Sequence, residues 1–283
     1  MVKIISDSTC DLSQELIERY DVSILPLHII LGDQDYEDGK GITPDEIYRW
    51  ADENRQTPKT AAVSVEQAEA MFAPYLNEGR EIVCFAISES MSSSANAMRM
   101  AAQRLEAEDR ITVIDSQNLS TGVGLLVIQA ALMSQQGLSA RRIKKRIEVL
   151  KPHVRASFVV DTLTYLHRGG RCSGAAALVG STLRLHPKIA VADGKMSPGK
   201  KYRGRISRAI MDYVHDLEPE LKNAMRDRVF ITHSGCEAEV IEEVRSYLES
   251  LNLFSEIFIT RAGGVISSHC GPGTLGVLFI SGE

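Results

Sequence analysis

The chain has 283 residues, 44% of them hydrophobic and 24% charged, with a formal net charge of −5. At about 150 residues per domain this is enough for two proper cores, in the composition range of ordinary globular proteins. The acidic balance argues against general nucleic-acid binding, and no apolar run approaches the ~20 residues of a membrane-spanning helix.

The chain opens Met1-Val2-Lys3-Ile4-Ile5-Ser6-Asp7, a strand (Lys3–Ser6) running into a polar loop, which does not read as a secretion signal. Asp7-Ser8-Thr9-Cys10-Asp11 then sits where open α/β sheets keep functional loops, at a strand C-terminus. Capping of the next helix by Asp11 or Ser13 is the favoured role there, with ligand contact as the alternative. A second strand is expected over Ser23–Leu31. Thr43-Pro44-Asp45-Glu46 is a capping box with proline at the first helical position. The loop Pro58–Ser64 ends in another box, Ser64-Val65-Glu66-Gln67, opening a helix to about Asn77. Thr60, in that loop, has no capping duty, so its hydroxyl is free to donate a hydrogen bond.

Glu81–Ile87 reads as a strand and is followed by five serines within Ser88–Ser94, before a helix through Arg104. Hydroxyls and free N–H groups at a helix start favour an anion; an over-supplied cap is the competing account. Arg110–Ile114 is the next strand. Leu119–Met133 is apolar nearly all round and should be buried on most faces. Together with the small-residue run Gly174–Gly180 it forms either ordinary core or the wall of an apolar tunnel. The charged helix Ala140–Leu150 leads to Lys151-Pro152-His153, where a boundary divides the chain into 1–152 and 153–283.

In the second half, strands are expected at Arg155–Val160, Lys188–Ala192, Arg228–Thr232, Ser255–Thr260 and Leu275–Ile280, with a hairpin signal at Asp193-Gly194. Strand–helix alternation with one hairpin predicts two α/β domains, the N-terminal with a mostly parallel sheet and the C-terminal with a mixed one. A cleft between domains is a preferred ligand location. Gly169-Gly170 lies between Arg168 and Arg171; Arg171 can hold a carboxylate or phosphate or brace its own loop, and bracing is expected. Lys200, Lys201, Arg203 and Arg205 form a compact basic patch in an acidic chain, expected to be exposed and convergent. It is either a solvated surface or a docking site for an acidic partner. The densest stretch, Gly263-Gly264-Val265-Ile266-Ser267-Ser268-His269-Cys270-Gly271-Pro272-Gly273, reads as a tight loop between strands, holding an imidazole and hydroxyls for a small polar or anionic group or serving as a plain turn.

Enzyme signatures are scarce. The chain has no GxSxG elbow, P-loop, GxGxxG or HExxH. Its five cysteines form no CxxC pair, which argues against zinc and a disulfide framework and for a reducing, cytoplasmic setting. No metal or cofactor is expected.

Taken together, Ser6-Asp7-Ser8-Thr9, Asp38-Gly39, Ile42-Thr43-Pro44, Asp115-Ser116, Val160–Leu163, Tyr165-Leu166, Arg168-Gly169-Gly170-Arg171, Arg203-Gly204 and His269-Cys270-Gly271-Pro272-Gly273 resemble the DegV family of bacterial fatty-acid-binding proteins. The resemblance implies a long-chain fatty acid between the two domains, its carboxylate held by Thr60 and Ser92 with His269 nearby, and its tail in an apolar tunnel. The backbone at Ser93 and the Arg171 loop belong to the same expected site. It further implies a carrier that presents the fatty acid to a separate kinase for acyl-phosphate formation, with Lys201, Arg203 and Arg205 as the docking patch. A monomer making at most transient membrane contact, with no nucleic-acid partner, is expected. A serine-dependent hydrolase using the Ser88–Ser94 cluster with His269, or a stand-alone lipid sensor, are the alternatives. Three departures from the family pattern stand out: Ala61-Ala62-Val63 replaces Ser-x-Pro, Ser93-Ser94 replaces Gly-Thr, and His186-Pro187-Lys188 replaces Lys-Pro-Ile.

Overall fold

The computed structural model describes residues 1–172, 174 and 185–282. Its first sheet is parallel throughout: β1 (Lys3–Asp7), β2 (Val22–Leu25), β6 (Ile82–Ala86) and β7 (Ile111–Asp115), in the order β2-β1-β6-β7. Side chains alternate across a strand, and here both faces are apolar, as a sheet covered on both sides requires. Ile5, Ile82 and Cys84 face a core with α3 (Val65–Asn77) and α4 (Ser94–Arg104). Ile4, Val83 and Phe85 face α5 (Thr121–Gln135) and α6 (Ala140–Leu150). Both capping boxes are present, at Thr43 ahead of α2 (Pro44–Asn54) and at Ser64 ahead of α3.

The stretch Ser23–Leu31, expected as one strand, is two. Pro26 lacks an N–H and interrupts the ladder. Beyond it β3 (His28–Leu31) joins a separate antiparallel sheet with β4 (Gln34–Glu37) and β5 (Lys59–Ala61). Thr60 therefore sits on a short strand instead of a loop. Asp11 also departs from expectation. Ser13 caps α1 (Gln14–Arg19), while Asp11 reaches across the molecule to Gly263 and Ser120.

The second sheet contains β8 (Val154–Val159), β9 (Leu185–Ala192), β10 (Lys195–Arg203), β11 (Arg228–Ser234), β12 (Glu256–Arg261) and β13 (Thr274–Ile280). Its order is β10-β9-β8-β13-β11-β12, and β11–β12 is the parallel pair. The sheet is mixed, as expected, and the Asp193-Gly194 hairpin joins β9 to β10. One face packs on α8 (Ile206–Asp216) and α10 (Ala238–Ser250) around fully buried Tyr213, with α9 (Glu218–Lys222) at the edge.

The other face meets α5. One apolar cluster contains Ile4 and Phe85 of the first sheet, Val123 to Ala131 of α5, and Ala156, Phe230 and Leu278 of the second. A helix wedged between two sheets has no side to give to water, which accounts for its apolar character all round. Most of Leu119–Met133 is thus core; Leu119 alone of its apolar residues also faces the cavity described below. Of Gly174–Gly180, all but Gly174 lies outside the described residues.

Two short helices complete the seam: α7 (Thr164–Gly169) and α11 (Gly264–Cys270). The expected tight loop at 263–273 is thus a two-turn helix with glycines at its ends. Gly263 is the extended N-cap, and Gly271, at φ 75°, stops it in a backbone conformation that side chains rarely adopt.

Candidate functional site

A cavity of about 300 Å³ opens at the seam between the sheets. Ile87, Met91 and Leu119 line it from the first half of the chain, and Phe158, Leu166 and Leu278 from the second. Thr60, Ser92, Ser93, Arg171 and His269, the five ligand residues expected from sequence, all line this one cavity. Four different elements contribute them, so the grouping is a product of the tertiary fold.

Thr60 Oγ1 and His269 Nε2 lie 2.8 Å apart, in hydrogen-bond contact. Burial, with the nearby Arg171 charge, pushes the His269 pKa down to about 4. The imidazole is therefore neutral at physiological pH. Its Nδ1 is buried with no hydrogen-bond partner among the described residues. When Nε2–H donates to Thr60 Oγ1, the Thr60 hydroxyl proton is left for another acceptor, and the pair can act as a donor relay.

Ser92 and Ser94 share a hydrogen bond between their hydroxyls at 2.9 Å, and Ser92 Oγ accepts from Ser94 N–H at 3.3 Å. Ser93 is the N-cap of α4 but makes no side-chain cap bond. Ser88 serves another purpose: its hydroxyl donates to the Gly194 carbonyl at 2.7 Å, tying the serine loop to the β9–β10 hairpin. No serine of the cluster bonds His269; the partner of Nε2 is Thr60. Arg171 donates from Nη1 to the Gly169 carbonyl at 2.6 Å and from Nε to the Met91 carbonyl at 3.4 Å. It braces the two halves of the cavity rim and brings a positive charge to it.

Behind the site lie three buried carboxylates. Asp11 accepts from Gly263 N–H at 2.8 Å and from the Ser120 hydroxyl at 2.5 Å. Asp38 accepts from Gly264 N–H and from the Ser8 hydroxyl. Asp7 accepts from Ile87 N–H and from Thr9. Burial raises all three, Asp7 to about 6 and Asp11 to about 8, against the opposing pull of these hydrogen bonds. Asp11 and Asp38 thereby hold the first N–H groups of α11, the helix that carries His269. Sequence reading missed this clasp, and it also missed Ser120, Thr232 and Ser234 on the cavity wall. The available signal for Ser120 was slight: a serine before an apolar helix, here forced to φ 51°.

The departures from the family pattern are absorbed locally. Ala61 and Ala62 line the cavity without hydroxyls. Lys188 approaches Glu220 at 3.9 Å and lies over the Tyr213 ring, while buried His186 bonds the Gly204 carbonyl at 3.1 Å.

The basic patch is elsewhere, sharing no lining residue with this cavity. Lys201, Arg203 and Arg205 are exposed, as expected. Lys200 is not free to converge with them: it pairs with Asp216 at 2.5 Å, and buried Tyr202 donates to the same carboxylate.

Among the described residues no cluster of His, Cys, Asp and Glu suits a metal ion, and no helix is long and apolar enough to cross a membrane. The family model described as "Uncharacterised protein, DegV family" matches residues 1–282. A DegV domain-containing protein of Clostridium acetobutylicum is 31% identical over 282 residues, covering 99% of this chain and 98% of the relative. The fold is similar to that of a DegV family protein from Thermus thermophilus described for its fatty-acid binding, with TM-score 0.89, 30% identity and 99% of each chain covered. It is also similar to a stearic-acid-binding protein from Eubacterium ventriosum, with TM-score 0.85, 30% identity, and 99% and 98% of the two chains covered.

Proposed function

The chain belongs to the DegV family, and from that membership and the cavity geometry we propose that it binds a long-chain fatty acid without transforming it. The observation that carries this reading is the mixed lining of the seam cavity, apolar side chains with a few hydrogen-bond donors and one cation. Most of its lining is apolar, and its polar groups include the bonded pair Thr60–His269 together with Ser92 and the Arg171 cation. Burying a tail at about 0.8 kcal/mol per methylene supplies affinity, and a few donors orient the carboxylate. Thr60 and Ser92 donate to it, with the neutral His269 polarising Thr60. The ligand lies between an N-terminal unit, 1–152, and a C-terminal unit, 153–283. The fatty-acid binding described for the relatives from Thermus thermophilus and Eubacterium ventriosum supports the same reading. A hydrolase needs a serine activated by a base, and here the imidazole's partner is a threonine. Lipid extraction and native mass spectrometry of the purified protein test the proposal: a co-purified fatty acid is expected. A chain that purifies empty and gains no thermal stability from any fatty acid defeats it.

We also propose that the fatty acid is presented to a kinase, with Lys201, Arg203 and Arg205 as the docking surface. Their exposure at one end of edge strand β10 and their separation from the lipid cavity support that role. Arg203→Glu should then abolish kinase-dependent phosphorylation while fatty-acid binding persists. Loss of both would move Arg203 into the ligand site.

A further inference from the structure

Helix α6 carries five cations, Arg141, Arg142, Lys144, Lys145 and Arg146, all exposed. None of the five makes a hydrogen bond or ion pair among the described residues; the helix's one acid, Glu148, pairs with Lys151. In the basic patch at β10, two cations do have acidic partners: Lys200 pairs with Asp216, and Arg208 of the adjoining α8 with Asp212. The buried side of α6 is Ala140, Ile143 and Ile147; Arg141, Arg142 and Lys145 lie opposite it, with Lys144 and Arg146 on the flanks. Val149 is 62% exposed on that face, one turn beyond Lys145 and Arg146.

Local helix physics opposes this arrangement. Arg141 and Arg142 occupy the first turn, where the helix dipole disfavours positive charge, and no acid accompanies them. Arg141 with Lys145, and Arg142 with Arg146, are like-charge pairs one turn apart, which also destabilise a helix. Glu81 accepts from the Ala140 N–H, a local compensation at the helix start. A protein of net charge −5 thus concentrates unpaired cations where they lower the stability of their own helix.

We propose that the outer face of α6 is a docking surface for an anionic lipid bilayer. The inference rests on the fatty-acid reading in one respect: a carrier of an insoluble amphiphile must load or unload where that amphiphile dissolves. The face presents one exposed aliphatic side chain, Val149, among long cationic ones, a form that fits a headgroup layer. It carries no aromatic side chain on which nucleic-acid bases would stack. Helix α6 packs along α5, and Leu119 and Ser120, which lead into α5, line the lipid cavity.

Each cation near an anionic surface contributes about fivefold to partitioning, and the attraction is screened by salt. The test is co-sedimentation of the full chain with phosphatidylcholine vesicles, with and without phosphatidylglycerol. Binding is expected to the anionic vesicles alone and to fall as salt rises. Arg142→Glu with Lys145→Glu should weaken it by more than about tenfold, while Lys201→Glu leaves it unchanged. Circular dichroism and co-purified lipid establish that the double variant is folded and loaded. Equal vesicle binding by the folded double variant overturns the proposal. So does wild-type protein that ignores anionic vesicles but binds a duplex oligonucleotide through these residues. If the purified chain holds no fatty acid yet binds anionic vesicles through α6, the surface stands and the fatty-acid reading falls.

Discussion

Gly169 and His269 are fitted to each other: a Cβ built on Gly169 would overlap His269 Nδ1. The imidazole is held between this bare backbone on one side and the Thr60 hydroxyl, 209 residues away in sequence, on the other. Among the described residues its buried Nδ1 has no hydrogen-bond partner, and the Gly169 backbone lies against it.

Gly169→Ala should therefore displace the ring and weaken fatty-acid affinity by about tenfold or more, as one charged hydrogen bond is worth roughly 1.5–3 kcal/mol. Gly170→Ala provides the contrast. Gly170 adopts φ 69° with nothing near its missing Cβ, so alanine there should cost about 1 kcal/mol of stability and leave affinity intact. Calorimetric titration and thermal melts of the two variants separate these outcomes.

Thr60→Val keeps the shape and removes the hydroxyl. It should lower affinity by roughly 1–3 kcal/mol. His269→Gln should do likewise, and the double variant should lose less than the sum, by at least about 0.5 kcal/mol, because the two residues act as one relay. Strictly additive losses would mean that each touches the ligand independently.

The pH dependence of binding follows from the His269 pKa of about 4. A site that used a charged imidazole would lose affinity as pH rises through the ordinary value of about 6.5. Here affinity should stay level between about pH 6 and pH 8, in titrations with ligand kept below its aggregation limit. A midpoint near 6.5 would show that His269 binds as a cation.

Asp11 gives a second pH effect with a definite sign. Its folded pKa is raised to about 8, so between the unfolded value of about 4 and 8 the folded chain holds the extra proton. Stability should fall as pH rises through that window and level off above it. Asp7, raised to about 6, adds the same slope over the lower part. His269, lowered to about 4, opposes it below about pH 6.5. Asp11→Asn can still accept from Gly263 through Oδ1, with its Nδ2 donating to the Ser120 oxygen in place of the lost contact, and should lessen the fall of the denaturation midpoint across about pH 6.5–8, leaving the share of Asp38, which burial also raises.

Much of this architecture is written locally. The capping boxes at Thr43 and Ser64, the all-round apolarity of α5 and the Asp193-Gly194 turn each depend on neighbours a few residues away, and they are legible for that reason. The break at Pro26 was visible as a residue, but the assignment of its two flanks to different sheets depends on partners elsewhere in the chain: Ile4 to Asp7 for β2, and β4 and β5 for β3. The clasp from Asp11 to Gly263 spans 252 residues, so local pattern read Asp11 as a helix cap. Of the site, the residue types stood out in short motifs. Their convergence on one cavity, and the pairing of His269 with Thr60 in preference to a serine, arise only when both sheets close on α5.

The clasp also orders events during synthesis. Asp11 and Asp38 are among the first residues made, and Gly263 and Gly264 among the last. Until α11 emerges, the two carboxylates lack the amides they hold in the finished fold, and Thr60 lacks its histidine. The first sheet can assemble early from contacts close in sequence, whereas closing a loop of this length comes late. The proposed head-group site is thus completed at the end of folding, and a nascent or C-terminally shortened chain should hold a ligand's charged end less well, with Thr60 lacking its histidine.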